Sequence, residues 1–408
     1  MTGRILGLIV EYNPLHNGHI YHIEKAKELV NPDYTIAVMS GHFMQRGEPS
    51  VIDKWTRARW ALASGMDLVV EIPVAFSLQS APYFAKGATS LLERLIPDGT
   101  LVFGSEEGDI NTLTELASLI EKKKETFKSS PDKLFPEELE NFILNSVDEE
   151  EKRKYSGILS KSNNILGVNY IISLQGSSWK TKTIKRVISD YKEREIKHEK
   201  IASATSLRCA LEKGENISDL VPEYVNRDLE RGNPVFQKDF YSLWIFALNS
   251  MNKSLSFFQG KGGIINHLKK VISQGLKFEE FMKKIQVKQY TLTRLQRMLW
   301  YVILDFKEGE NQEFIEKGPL YARILGYRKS RESLLRVIKK TSSIPLIYDI
   351  SKANTILKKY YGNKKQLMNI AINQINLDKR ATLLYYLPQL NENPEYLNQD
   401  YAMKCVVI

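Results

Sequence analysis

Cysteine is nearly absent from this chain. Its 408 residues include two, Cys209 and Cys405, far apart and in no metal-ligand spacing. That scarcity argues against a disulfide framework and against a cysteine zinc site. It fits a reducing compartment, so a cytoplasmic location is expected. Long apolar runs are missing too. No stretch approaches the roughly 20 residues needed to cross a bilayer. The short apolar run from Met1 to Val10 stops at Glu11, without the basic start and cleavage site of a signal peptide. No membrane partner is expected. Internal repeats and low-complexity tracts are also lacking. Histidine is scarce, and four of the six, His16, His19, His22 and His42, crowd the N-terminal segment.

What is present suits a large soluble protein. Hydrophobic residues make up 43% and charged residues 26%, enough apolar content for a substantial core. The length corresponds to two or three domains at roughly 100–200 residues each. Lys and Arg outnumber Asp and Glu by 58 to 48, a formal net charge of +10, which favours a polyanionic partner such as RNA.

The first hundred residues alternate strand-like and helix-like runs. Arg4 to Val10, Tyr34 to Met39, Leu68 to Ile72 and Thr100 to Phe103 read as strands, and Thr183 to Val187 as a later one. His19 to Leu29, Lys54 to Ala63 and Tyr83 to Leu95 carry helical spacing between them. Strands separated by such helices imply right-handed crossovers and a parallel sheet, with ligands beyond the C-terminal strand ends. Asn111 to Lys161 is charged and helical, broken at Pro131 and Pro136, and reads as an insertion. Beyond Pro222 the chain reads as almost wholly helical, with apolar spacing over Asp239 to Met251, Thr293 to Phe306, Glu332 to Lys340 and Lys365 to Ile375.

The strongest chemical signal is Glu11-Tyr12-Asn13-Pro14-Leu15-His16-Asn17-Gly18-His19, which follows a strand and opens a helix. A helix N-terminus offers unpaired N–H groups and partial positive charge to a phosphate. His16 and His19, three apart, point to one side and can donate to triphosphate oxygens and to charge developing at the α-phosphate. Gly18 lets a nucleotide approach the backbone. A second signal, Ile201-Ala202-Ser203-Ala204-Thr205-Ser206-Leu207-Arg208, offers capping hydroxyls, an anion nest and a planar cation. Three further segments have the polarity of ligand loops: Ser40 to Pro49, Phe103-Gly104-Ser105-Glu106, and Lys161 to Tyr170 with the paired amides Asn163 and Asn164. Arg186, at a strand end, is placed to reach phosphate or ribose. Taken singly, each of these segments also reads as a turn or helix cap.

An HxGH element followed by a Ser/Thr-rich motif ending in Arg resembles the HxGH nucleotidyltransferases, and class I aminoacyl-tRNA synthetases share its first half. With the loops just described, and with Tyr290-Thr291-Leu292-Thr293-Arg294-Leu295-Gln296-Arg297 and Tyr321-Ala322-Arg323-Ile324-Leu325-Gly326, most of the chain resembles the bacterial tRNA(Met) cytidine acetate ligase family. Leu15 stands where Phe is expected in many relatives. The resemblance implies an α/β fold: a Rossmann-like parallel-sheet nucleotidyltransferase domain over residues 1–221, with a helical insertion at about 111–161, then a mainly α-helical, basic tRNA-binding domain over 222–408.

It also implies a reaction. Acetate and ATP, with Mg²⁺, give acetyl-adenylate and pyrophosphate, and the acetyl group passes to the exocyclic amine of the wobble cytidine of elongator tRNA(Met), giving N4-acetylcytidine. His16, His19 and Arg208 would be catalytic. Ile9, Val10, Glu11, Tyr12, Asn13, Pro14, Leu15, Asn17, Gly18, Ile20, Tyr21 and His22 would line the nucleotide with them, joined by Gly104, Asn163, Asn164 and Arg186. Ser203, Thr205 and Ser206 would hold the outer phosphates with Arg208. No residue is assigned to a metal. The basic residues Arg294, Arg297, Arg323, Arg328, Lys329, Lys358 and Lys364, interleaved with tyrosines, are the expected RNA contacts. Two other readings stand beside this one: a nucleotidyltransferase of cofactor synthesis, and a non-catalytic RNA-binding protein on the same fold.

Overall fold

Runs such as Leu68-Val69-Val70 offer water no polar side chain, so they are stable only as inner strands of a sheet covered on both faces. In the computed structural model, which describes residues 3–127, 135–186, 202–250 and 262–408, they take that place. The strands are β1 (Ile5–Val10), β2 (Tyr34–Ser40), β3 (Leu68–Ile72), β4 (Gly99–Ser105), β5 (Trp179–Lys185), β6 (Ala322–Tyr327), β7 (Leu346–Ile347) and β8 (Val406–Val407). They form one sheet in the order β5-β4-β1-β2-β3-β6-β7, with β8 also paired to β6. From β5 to β3 all pairs are parallel. β6 runs antiparallel to β3, with a bulge between Val69 and Val70.

The helices Asn17–Val30 and Lys54–Ala63 carry the chain from β1 to β2 and from β2 to β3. The helix Ala81–Leu95 then brings it back to β4, on the other side of β1. The strand order therefore reverses between β1 and β4, the switch point beyond whose C-terminal strand ends sheets of this kind bind ligands in a crevice. Short polar caps start the flanking helices. Asp53 accepts hydrogen bonds from Trp55 N at 2.9 Å and Thr56 N at 3.0 Å. Ser203 Oγ accepts from Ser206 N at 3.1 Å, opening the helix Ala204–Glu212.

The second half is mainly helical, but it also completes the sheet with β6, β7 and β8. Ala322 to Gly326 was expected to lie in helical surroundings and is instead a strand buried on both sides. An apolar run this short has no periodicity that separates strand from helix. The insertion forms three helices, Ile110–Lys123, Phe135–Leu144 and Glu149–Tyr155; Pro131 lies outside the described residues. So do Val187, Ile201 and Met251, the ends of three segments read from the sequence.

The two halves are joined by aromatic packing. The helix Leu292–Ile303 brings Trp300 against Phe43, ring centroids 4.6 Å apart, and against Trp244 at 5.0 Å. Trp300 Nε1 donates to Gly47 O at 2.8 Å and Tyr301 OH to Leu78 O at 2.6 Å. The helices of the second half thus clamp the loop that leaves β2. None of the described helices is long and apolar enough to cross a membrane.

Candidate active site

His16 is the N-cap of the helix Asn17–Val30. Its Nδ1 accepts from Gly18 N at 3.1 Å, while His19 Nδ1 accepts from His16 N at 3.3 Å. The rings stack with centroids 3.7 Å apart. Because each Nδ1 is an acceptor, each ring carries its proton on Nε2 and is a neutral donor. Burial holds His16 down to about 3, helped by the positive charges of Arg186 and Arg208. Burial, with His16 and Arg186, also holds His19 well below the ordinary histidine range. Two neutral N–H donors at a helix N-terminus, flanked by two arginines, suit an anion whose charge grows during reaction.

The second motif meets the first across the chain. Arg208 Nη1 donates to Asn13 O at 2.9 Å and Nη2 to Thr205 Oγ1 at 3.2 Å. Nη2 also pairs with the Glu48 carboxylate of the loop after β2. Ser206 is buried, and its Oγ donates to Ser203 O at 2.8 Å. Asn13 fastens the same loop, donating to Pro49 O at 3.2 Å and accepting from Val51 N at 2.8 Å. Asn17 Nδ2 reaches Asp219 O at 2.9 Å.

The ends of β4 and β5 form the other wall. A Cβ on Gly104 would lie 3.5 Å from Arg186 Cγ and 3.9 Å from His22 Cδ2, ordinary contacts. Protein packing therefore does not require glycine here, whereas close approach of a ligand would. His22 Nε2 is buried without a partner, and burial holds His22 down to about 4, with Arg186 adding to the effect. Glu106 Oε1 accepts from Asn163 Nδ2 at 2.7 Å and Oε2 from Asn164 N at 2.9 Å, capping the helix Ser162–Ser173. Asn164 Oδ1 in turn accepts from Glu106 N at 2.9 Å and Glu107 N at 3.0 Å, and its Nδ2 donates to Ile158 O at 3.2 Å. Asn164 is thereby buried as the brace of the Gly104 turn, with Asn163 less enclosed beside it.

Not every residue of the first motif borders the crevice. Leu15 is wholly buried core, and Tyr12 is buried with its ring 5.1 Å from that of His19. Tyr21 is exposed, and Ile9, Val10 and Ile20 are half-buried. Glu11 accepts from Gln45 N at 2.7 Å, and burial raises its carboxyl above the ordinary range.

Arg57 was not singled out by its sequence context. It is fully buried and donates to Ile52 O at 3.2 Å, Glu11 O at 2.8 Å, Ser40 O at 3.0 Å and Gly41 O. One guanidinium thus ties the ends of β1 and β2 together. An arginine inside an amphipathic helix gives no sign that its partners lie elsewhere in the chain.

Two of the expected RNA contacts are corrected by burial. Arg297 is 5% exposed and donates to Gln45 O at 3.0 Å, which holds the loop after β2. Arg323 is 4% exposed and reaches Asp400 at 2.7 Å and Glu71 at 3.4 Å. Lys54 completes that buried group, 2.8 Å from Glu71 and 3.5 Å from Asp400. Both arginines serve packing between the halves, because each finds acceptors in the interior that water or phosphate would otherwise supply. Arg328 is half-buried and donates to Leu62 O at 2.6 Å, in the last turn of the helix Lys54–Ala63, and to Met66 O at 3.2 Å, just past its end. Arg294 lies over the Tyr290 ring, 4.4 Å from its centroid. Lys329, Lys358 and Lys364 are exposed.

Comparison with known proteins agrees with this geometry. The family model described as HIGH Nucleotidyl Transferase matches residues 3–400. A tRNA(Met) cytidine acetate ligase of Thermoanaerobacter sp. (strain X514) is 39% identical over 365 residues, covering 85% of this chain and 89% of that protein. One from Thermosipho africanus is 33% identical over 99% of both chains. The apo crystal structure of Thermotoga maritima TmcAL superposes with a TM-score of 0.87 at 31% identity over 99% of both chains. The same protein bound with alpha-thio ATP gives 0.85 at 32% identity, again over 99% of both chains. The nucleotide crevice and its two meeting motifs are accordingly those of a HIGH nucleotidyltransferase, and the chain belongs to the tRNA(Met) cytidine acetate ligase family.

Proposed function

We propose that this chain is an ATP-dependent ligase that activates acetate as acetyl-adenylate and acetylates the exocyclic amine of the wobble cytidine in elongator tRNA(Met), giving N4-acetylcytidine. The observation that carries the reading is the pair of stacked neutral imidazoles at the helix N-terminus, set against Arg186 and Arg208. The relative with alpha-thio ATP bound, similar over the whole chain, supports ATP as the substrate of this crevice.

In the first step an acetate oxygen attacks the α-phosphorus and the bond to the β-phosphate breaks, releasing pyrophosphate. Acetate is a competent nucleophile at neutral pH, so the step needs positioning and charge stabilisation rather than a strong base. Nε2–H of His16 and His19 would donate to the phosphate oxygens. Ser203, Thr205, Ser206 and Arg208 would hold the β and γ phosphates, with Arg186 and the Gly104 turn against the nucleoside. Among the described residues no group of three His, Cys, Asp or Glu suits a metal ion. Mg²⁺ would enter with the ATP phosphates, whose charge it neutralises. In the second step the cytidine amine attacks the acyl carbon, AMP leaves, and the amine loses a proton. The base must be splayed from its stack to reach the adenylate. Exposed Lys329, Lys358 and Lys364 would meet RNA phosphates. Substrates of this kind place the enzyme in the cytoplasm.

The test is a reconstitution with protein, ATP, Mg²⁺, labelled acetate and unmodified tRNA(Met) transcript. Label on the wobble cytidine is expected. AMP release with a different small acid, and no label on RNA, would refute the tRNA assignment while keeping the nucleotidyltransferase chemistry.

A further inference from the structure

A cleft of about 240 Å³ lies apart from the phosphate crevice, between the start of the helix Lys54–Ala63, the end of the helix Glu223–Arg231 and the C-terminal tyrosines. Tyr396 lines it with a half-buried ring that rests against the buried Tyr386, ring centroids 4.8 Å apart and planes tilted by 53°. Arg59 and Arg231 stand in its wall with exposed side chains, and the Gln399 amide adds a donor and an acceptor. Asp228 is held in place by Trp60 Nε1 at 2.8 Å and Arg59 Nη2 at 3.1 Å, with acceptor capacity left on its carboxylate.

This is the chemistry that reads an unstacked base: one aromatic face to stack on, that of Tyr396, mixed donors and acceptors for the base edge, and cations for the flanking phosphates. The position of the cleft matters as much as its lining. Its wall residue Ile52 gives its carbonyl to Arg57, and the same guanidinium holds the Glu11 carbonyl at the end of β1. A single side chain therefore joins the cleft to the strand end that opens the HxGH element. We infer that the cleft is a nucleobase pocket that takes a second splayed base of the tRNA anticodon loop, close to the wobble cytidine, while that cytidine enters the active site. The inference rests on the RNA acetylation proposed above. It assigns substrate discrimination to residues outside the ATP crevice.

The test pairs protein variants with RNA variants. Arg231→Ala and Tyr396→Leu are assayed with tRNA(Met) anticodon stem-loops in which each loop base except the wobble cytidine is made abasic in turn. Acetate-dependent ATP–pyrophosphate exchange should be unchanged in both variants, since neither residue touches the nucleotide crevice. In RNA acetylation each protein variant should lose kcat/KM on the order of tenfold, as should the wild type with one particular abasic loop. Combining that abasic loop with either variant should bring no further loss. Losses that multiply at every loop position would overturn the pocket while leaving the acetylation reading intact. Absence of RNA acetylation by the wild type would overturn both. If Tyr396→Leu also lowers exchange, the exposed Arg231 position decides the outcome.

Discussion

Burial of His16 as a neutral acceptor has a thermodynamic consequence that can be measured without any substrate. In the folded chain His16 titrates at about 3, against an ordinary value of 6.5. Below the ordinary value the unfolded chain binds a proton that the folded chain refuses, so stability falls as pH falls. The loss begins near the unfolded value and continues down to the folded one. Between about pH 7 and about pH 5.5 a single such histidine removes about 1.3 kcal/mol of stability. His22 acts in the same direction. Asp378 acts in the opposite direction, because its carboxyl is raised to about 7 by burial and by Glu71. The total pH profile therefore mixes signs, and a variant must isolate His16. His16→Asn retains a side-chain acceptor for Gly18 N and a good N-cap, but does not titrate. Urea unfolding of both proteins at the two pH values gives the difference directly. The stability gap between wild type and variant should shift by about 1.3 kcal/mol in favour of the variant at the lower pH. An equal gap at both pH values would refute the buried neutral imidazole, and with it the donor role assigned to Nε2.

Other expectations concern activity and packing. His19→Ala should lower acetate-dependent pyrophosphate exchange by about 10²–10³ while far-UV circular dichroism is unchanged. Gly104→Ala should leave the unfolding midpoint near that of the wild type, because its Cβ meets only ordinary contacts, but should raise the KM for ATP; a shift in stability without a change in KM would contradict that placement. Arg57→Met should cost about 3–5 kcal/mol in urea unfolding, since it strips a buried cation from four carbonyls. Lys358→Ala and Lys364→Ala should each reduce the salt dependence of tRNA binding by about one unit of slope. Arg297→Met should leave that slope unchanged and lower stability instead.

The nucleotide half was legible in the sequence for a physical reason. Strand–turn–helix units are local, and a His at an N-cap three residues before another acts within one turn of helix. Glu11 to His19 therefore announced its own geometry, as did Ser203 to Arg208 with its capping hydroxyls. Burial of whole strands such as Leu68 to Ile72 was likewise readable, because no polar side chain interrupts them before Glu71. Tertiary structure alone decided the rest. Arg297 and Arg323 have the composition of RNA contacts, and only the packing of distant segments shows that Gln45, Glu71 and Asp400 satisfy them in the interior. Ala322 to Tyr327 became a strand because the edge of β3 was there to be paired. Asn164 proved to brace the Gly104 turn, since its partners lie more than fifty residues earlier in the chain. Local hydrogen bonds and periodicity are written in neighbouring residues. The partner of a charge is chosen by the fold, because the cost of burying it is met only by groups that the sequence places far away.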